Sequence, residues 1–231
     1  MTDWPAATIQ ADFDRIARAG EEQGWNHNNH YHPYLLRHLP SPCQHTLEIG
    51  CGTGAFARLL AQRADHVLAL DLSPEMIRLA QERSQHMPTI EYQVGDILAY
   101  PLPDNHFAFI GSIATFHHLS LAPLLAKVKT ALKPGGVLAA LDLYTAQSTA
   151  DYLTAAAAVP VSKILQLRKN GRLRRPLPQA QAAWAAHDQH DSYLPLAVIR
   201  QVCAELLPGA IIKRHLLWRY SLIWQKPTVP S

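Results

Sequence analysis

The run Leu47-Glu48-Ile49-Gly50-Cys51-Gly52-Thr53-Gly54 constrains the fold of this chain more than any other feature. Thr46 to Ile49 reads as a short buried strand. Ala55 to Arg63 reads as a helix, with Phe56, Leu59, Leu60 and Arg63 at helical spacing. Glycines between a strand and a helix let the backbone turn tightly and leave it bare, so a ligand can approach the free amides of the helix N-terminus. A strand that leads into a helix in this way must be followed by a second, parallel strand, and the connection is right-handed.

The rest of residues 45–143 keeps that rhythm. His66 to Leu70 is a second strand ending at Asp71. Ser73-Pro74-Glu75 predicts a helix start, since serine caps free amides, proline suits the first turn and glutamate complements the dipole. That helix continues to about Gln85. Glu91–Val94, Phe107–Ala114 and Val137–Leu143 supply three further strands. Leu121–Leu132 is a helix closed by Lys133-Pro134-Gly135-Gly136. The apolar runs Phe107–Ile110 and Val137–Leu141 fit strands covered on both faces. The sequence thus predicts an α/β fold, with residues 1–40 as a helical, His-rich cap and 45–143 as a ligand-binding core. Residues 144–192 form an Ala-rich insertion or lid, and 193–231 a closing helix (Leu196–Leu206) with an antiparallel hairpin. The expectation is one domain over 1–231.

Composition narrows the classes. A chain of 231 residues with 48% hydrophobic and 17% charged residues is an ordinary globular protein. A net charge of +3 is too small to indicate a nucleic-acid binder, so nucleic acid is not an expected partner. Cys43, Cys51 and Cys203 have no metal-ligand spacing, and so sparse a set fits a reducing, cytoplasmic setting. No stretch approaches the roughly 18 apolar residues of a membrane span. Nothing in the sequence speaks to oligomeric state.

On the turn alone two readings stay open, because Gly50, Gly52 and Ala55 also satisfy a dinucleotide (NAD) fingerprint, with Asp71 about 20 residues on as the ribose acid. Other residues separate them. Leu47–Gly54 resembles the first motif of the class I S-adenosylmethionine (SAM) dependent methyltransferases, and Leu70-Asp71-Leu72-Ser73-Pro74-Glu75-Met76 resembles the end of that family's second strand. Val94-Gly95-Asp96-Ile97 and Leu132-Lys133-Pro134-Gly135-Gly136 are similar to its later motifs, in order, and the closing hairpin fits its reversed last strand. The resemblance covers about residues 47–143. It implies a Rossmann-like, mostly parallel seven-stranded sheet with helices on both faces. It also implies that SAM is converted to S-adenosylhomocysteine. Gly50, Cys51 and Gly52 would pass the methionine portion, with Glu48 supporting the turn and the amino group. Asp71 would grip the ribose, Leu72 and Met76 would sandwich adenine, and Asp96 and Ile97 would recognise its edge. Ser112 would line the cofactor near the sulfonium. One departure is Ala108, where the family often carries an acid.

Methyl transfer needs positioning more than acid–base machinery, and a base only if the acceptor is protonated. His117, after the fourth strand, is the foremost candidate to face the acceptor, with His118 beside it. His187-Asp188-Gln189-His190-Asp191 offers His187 and His190 as acid-oriented bases, although Asp191 could instead cap the helix that follows. A metal centre is not expected there, for want of a third ligand cluster. Trp25 to Tyr34 resembles the segment that lies over the cofactor in small-molecule relatives, which gives Tyr31 and His32 a place beside the methionine carboxylate. The basic stretch Lys163–Arg175 reads as a solvated loop. The expected function is methylation of a small organic acceptor at O, N or C. The alternatives are a non-catalytic SAM-binding module, an RNA methyltransferase or an NAD-dependent oxidoreductase.

Overall fold

The computed structural model describes residues 5–20, 24–173 and 177–228. Seven strands form one sheet: β1 (His45–Ile49), β2 (His66–Asp71), β3 (Ile90–Val94), β4 (Phe107–Ile113), β5 (Leu132–Asp142), β6 (Ile211–His215) and β7 (Arg219–Gln225). Their order is β3-β2-β1-β4-β5-β7-β6. The pairs among β1 to β5 are parallel, and β7 runs antiparallel to both β5 and β6. The strand order reverses between β1 and β4, and in open α/β sheets ligands bind at that switch, beyond the carboxyl ends of the strands.

The period of two along each strand divides the core into two layers. Leu138, Ala140, Leu222 and Trp224 join Leu47, Ile49, Leu124 and Leu125 on one face. Ala139, Leu141 and Ile223 join Phe56, Leu60, Val67 and Phe109 on the other. Each such side chain contributes roughly 1.5–3 kcal/mol by leaving water. The helices are α1 (Ala6–Ala19), α2 (His32–Leu36), α3 (Ala55–Leu60), α4 (Pro74–Glu82), α5 (Leu121–Ala131), α6 (Thr149–Asn170), α7 (Pro178–His187) and α8 (Leu196–Leu206). α5 packs on α8, while α1 packs on both α4 and α7.

Two expectations need correction. β5 starts at Leu132 and not at Val137, because Leu132 pairs with Phe107 across an irregularity, and the Gly135 amide donates to the Lys226 carbonyl at 2.8 Å. The Lys163–Arg175 stretch is not a loop up to Asn170: Lys163, Arg168 and Lys169 lie exposed on α6. A Ser148–Asp151 capping box starts that helix and Gly171, at φ 70°, ends it. The helix tolerates Pro160 between these ends. Arg174 and Arg175 lie outside the described residues.

Candidate active site

The glycine turn leaves β1 with Gly50, Gly52 and Gly54 at φ 69°, 50° and 76°. At Gly50 a Cβ atom would come within 2.0 Å of Thr115 Oγ1, so both its φ and its neighbour exclude a side chain. Asp71 closes on the turn from the end of β2. Its Oδ2 accepts from the Gly52 amide at 2.7 Å and its Oδ1 from the Ser73 amide at 2.9 Å. Burial pushes the Asp71 carboxyl up to about 6, against the pull of those two amides. Each oxygen keeps a further lone pair for a hydroxyl donor.

Glu48 is buried beneath the turn, and its Oε2 has no hydrogen-bond partner. Burial, and then the charge of Asp71, hold its carboxyl well above the usual range. A ligand with an ammonium group would supply the missing donor and the missing charge. On the rim, Ser73 Oγ caps α4 by accepting from the Met76 amide at 3.1 Å, and Asp96 Oδ1 accepts from the Leu98 amide at 2.9 Å. Glu48, Gly50, Cys51, Gly52, Asp71, Leu72, Met76, Asp96 and Ile97 all line one cavity.

That cavity, about 1430 Å³ in volume, continues beneath α1 and α7. Phe13 of α1, Trp184 of α7, Leu119 and Tyr193 give its far end an apolar lining. His117, His118, His187 and Asp191 supply the polar groups there. The His117 amide donates to Asp142 Oδ2 at 2.8 Å, and its Nδ1 lies 2.6 Å from Asp142 Oδ1. Burial opposes charge on His117, yet the Asp142 carboxylate outweighs it, and the imidazole is raised above its ordinary range. His118 is driven down to about 2 by burial, and next by the His117 and His187 rings.

The remaining sequence candidates separate. His32 lines the cavity, buried against the Phe56 ring at 5.2 Å, and burial lowers it to about 4. Tyr31 and Ser112 lie outside the lining. The Tyr31 hydroxyl donates to the Leu216 carbonyl at 2.5 Å, and the Ser112 hydroxyl ties β4 to β1 through the Ile49 carbonyl at 2.9 Å. The His187–His190 pair is split. His187 faces the cavity, whereas His190 Nδ1 sits 2.7 Å from Asp12 Oδ2 behind it. Asp191 does not cap α8, which starts after Pro195. Its Oδ2 instead accepts from the Tyr193 hydroxyl at 2.5 Å.

Three residues of this site escaped the sequence reading. Asp142 ends β5 on the same rim as the cofactor acids, a position that could have flagged it. Asp12 is a lone acid on the buried stripe Ile9, Asp12, Ile16 of α1, where a charge signals a buried partner. Arg219 is buried at the start of β7 and lines the cavity. Its guanidinium donates to Asn28 Oδ1 at 2.8 and 3.0 Å, a contact no local motif announces.

A doubly wound sheet with a reversed β7, and a bare glycine turn flanked by acids near the ends of β1 and β2 and just beyond β3, defines a Rossmann-like protein built for a nucleoside-bearing cofactor. A profile of the methyltransferase domain matches residues 47–140. An uncharacterized methyltransferase of Mycobacterium tuberculosis is 29% identical over 211 residues, which span 89% of this chain and 99% of that one. The 2-phytyl-1,4-naphtoquinone methyltransferase of Thermosynechococcus vestitus is 32% identical over 151 residues, or 62% of this chain and 67% of that one. Among solved structures, the N-methyltransferase NodS from Bradyrhizobium japonicum, bound to S-adenosyl-L-homocysteine, superposes with a TM-score of 0.63 at 18% identity, covering 94% of this chain and 98% of that one. The chain belongs to the class I SAM-dependent methyltransferases, enzymes whose methyl donor is S-adenosylmethionine. Among the described residues no helix is long and apolar enough to cross a membrane.

Proposed function

We propose that this methyltransferase transfers the methyl group to a small organic acceptor enclosed under α1 and α7. The observation that carries this reading is one continuous cavity, lined at one end by the glycine turn and at the other by His117, Phe13 and Trp184. Its volume of about 1430 Å³ exceeds the roughly 300–1,000 Å³ of a site for one drug-sized ligand, which leaves room for an acceptor beside the cofactor. The substrate in the name of the Thermosynechococcus vestitus relative is also a small molecule.

When bound, SAM supplies an electrophilic methyl on a sulfonium that is already a good leaving group. The chain's own contribution is to position and to exclude water. Gly50, Cys51 and Gly52 pass the methionine portion and Glu48 receives its ammonium group. Asp71 takes the ribose hydroxyls, Leu72 and Met76 flank adenine, and Asp96 and Ile97 meet its edge. Ser112 and Tyr31 brace the walls, and His32 closes the floor. His117, turned by Asp142, presents Nε2 to the acceptor end and accepts its proton. In this reading residues 1–231 work as one domain, with the 1–40 cap and the 144–192 lid over the 45–143 core and 193–231 closing the sheet. The three buried free thiols favour a reducing, cytoplasmic setting.

Calorimetric titration with SAM tests the reading. We expect saturable 1:1 binding by the wild type and a loss of about 100-fold in Asp71→Ala, the scale of two charge-assisted hydrogen bonds. Absence of binding by the wild type, or equal binding by Asp71→Ala, would sink it.

A further inference from the structure

Asp191 Oδ1 is a buried carboxylate oxygen with no hydrogen-bond partner, although three imidazoles surround it. His187 Nε2 lies 3.3 Å away, His118 Nδ1 3.5 Å and His117 Nε2 3.9 Å. An N–H···O bond to carboxylate would draw a nitrogen to about 2.7–2.9 Å. In a tetrahedral site with metal–ligand bonds of about 2.0–2.1 Å, neighbouring donor atoms stand about 3.3 Å apart. The His118 and His117 nitrogens, at 3.5 and 3.9 Å, stand slightly wider than that spacing and would close on an ion by a few tenths of an ångström. The donor atoms of His117, His118 and Asp191 all lie within 4.8 Å of one another.

We propose that His117, His118 and Asp191 form a binding site for one late first-row divalent metal ion of the zinc class, on the cavity wall at the acceptor end. The three side chains are only 5%, 6% and 7% exposed, so their donor atoms are desolvated and fixed. Two of the three are braced from behind, His117 Nδ1 by Asp142 at 2.6 Å and Asp191 Oδ2 by the Tyr193 hydroxyl at 2.5 Å, whereas His118 Nε2 has no hydrogen-bond partner. Two imidazoles and one carboxylate suit zinc, cobalt or nickel, whereas magnesium and calcium favour all-oxygen sets. His187 approaches Asp191 from α7 and ties the site to the lid.

Three protein ligands leave a coordination position open, and all three residues line the cavity. This part of the inference rests on the proposed acceptor end. An acceptor hydroxyl or carboxylate would take that position, and the ion would lower the proton affinity of the reacting oxygen. His117 is then a ligand, and the ion replaces its Nε2 as the group facing the acceptor.

The test uses the full chain, stripped with a chelator and titrated with zinc chloride, with magnesium chloride as the comparison. One zinc per chain is expected, at an affinity at least about 100-fold above that for magnesium. His118→Ala and Asp191→Asn should each lower zinc affinity by at least about tenfold, and leave S-adenosylhomocysteine affinity within about twofold. Cobalt-loaded His118→Cys should gain a thiolate-to-metal charge-transfer band that the wild type lacks. The proposal is overturned by no saturable zinc binding to the wild type, by full zinc affinity in both ligand variants, or by no such band in folded His118→Cys. Failure of S-adenosylhomocysteine to bind the wild type would instead strike the cofactor reading and leave the zinc result to be judged by itself.

Discussion

The two ends of the cavity are built in different ways. At the cofactor end the chain offers backbone: the glycine turn, the Gly52 and Ser73 amides that hold Asp71, and the Leu98 amide that holds Asp96. These groups lie within one βαβαβ stretch and are fixed by strand register. At the acceptor end the chain offers side chains brought from α1, the end of β4, the end of β5, α7 and the segment before α8. They are held to one another by imidazole–carboxylate contacts such as His117–Asp142 and His187–Asp12. Backbone sites fail when a side chain intrudes, and side-chain sites fail when a partner is deleted. The contrast makes the first end permanent and the second adaptable.

The largest effect should come from putting a methyl group into the backbone end. In Gly50→Ala the new Cβ would meet Thr115 Oγ1 at 2.0 Å and Thr115 Cβ at 2.8 Å, so the Thr115 backbone must shift as well as its side chain. The clash together with the left-handed φ should destabilise the protein by roughly 3 kcal/mol. S-adenosylhomocysteine affinity should fall by about 100-fold or more, as 1.4 kcal/mol is tenfold. Urea unfolding and calorimetry measure the two losses. If Gly50→Ala binds normally, the turn is not the rigid element claimed for it.

A smaller and localised effect is expected at the side-chain end. Asp12 is fully buried in α1 and receives His187 and His190 from α7 and the turn after it. Burial pushes its carboxyl up, but the hydrogen bonds from His190 and His187 prevail and lower it. Asp12→Ala removes the bridge between α1 and α7 and should weaken their docking by about 2 kcal/mol. Hydrogen exchange should then quicken by about 30-fold in α1 and α7, with β1, β2 and β4 unchanged. A uniform rise in exchange across the sheet would show that the lid and the core are not separable units.

The same contrast explains what the sequence could and could not disclose. Gly50, Asp71 and Asp96 were legible because each stands at a fixed distance from a strand end, and local spacing determines where a backbone site lies. His117 was legible as a rim residue, but its partner Asp142 lies a helix and a strand further on. Asp191, read as a cap for α8, turned out to face His117 and His118, and only the fold reveals that convergence. Ser112 and Tyr31 carry hydroxyls in the right segments, but a strand's period of two and one hairpin carbonyl turn them away from the cavity. The helical part of the basic stretch was missed because Pro160 interrupts the pattern, whereas the Ser148–Asp151 cap and Gly171 fix both ends.

The smallest expected effect separates stability from binding at a single residue. Gly52 lies two residues after Gly50 and also has a positive φ, at 50°, yet a Cβ there would meet nothing within 4 Å. Its amide bond to Asp71 Oδ2, 2.7 Å long, does not depend on the side chain and should survive in Gly52→Ala. Only the left-handed backbone opposes alanine, which costs about 1 kcal/mol and is partly offset by the reduced freedom of the unfolded chain. The urea midpoint should therefore move little. The open space around that Cβ, however, belongs to the cavity, and the methyl would occupy volume assigned to the cofactor. Affinity for S-adenosylhomocysteine should drop by about tenfold, more than the stability change accounts for. A variant with intact affinity would mean that the cofactor does not reach this backbone, and the distinction between a backbone-built and a side-chain-built end would have to be redrawn around Asp71.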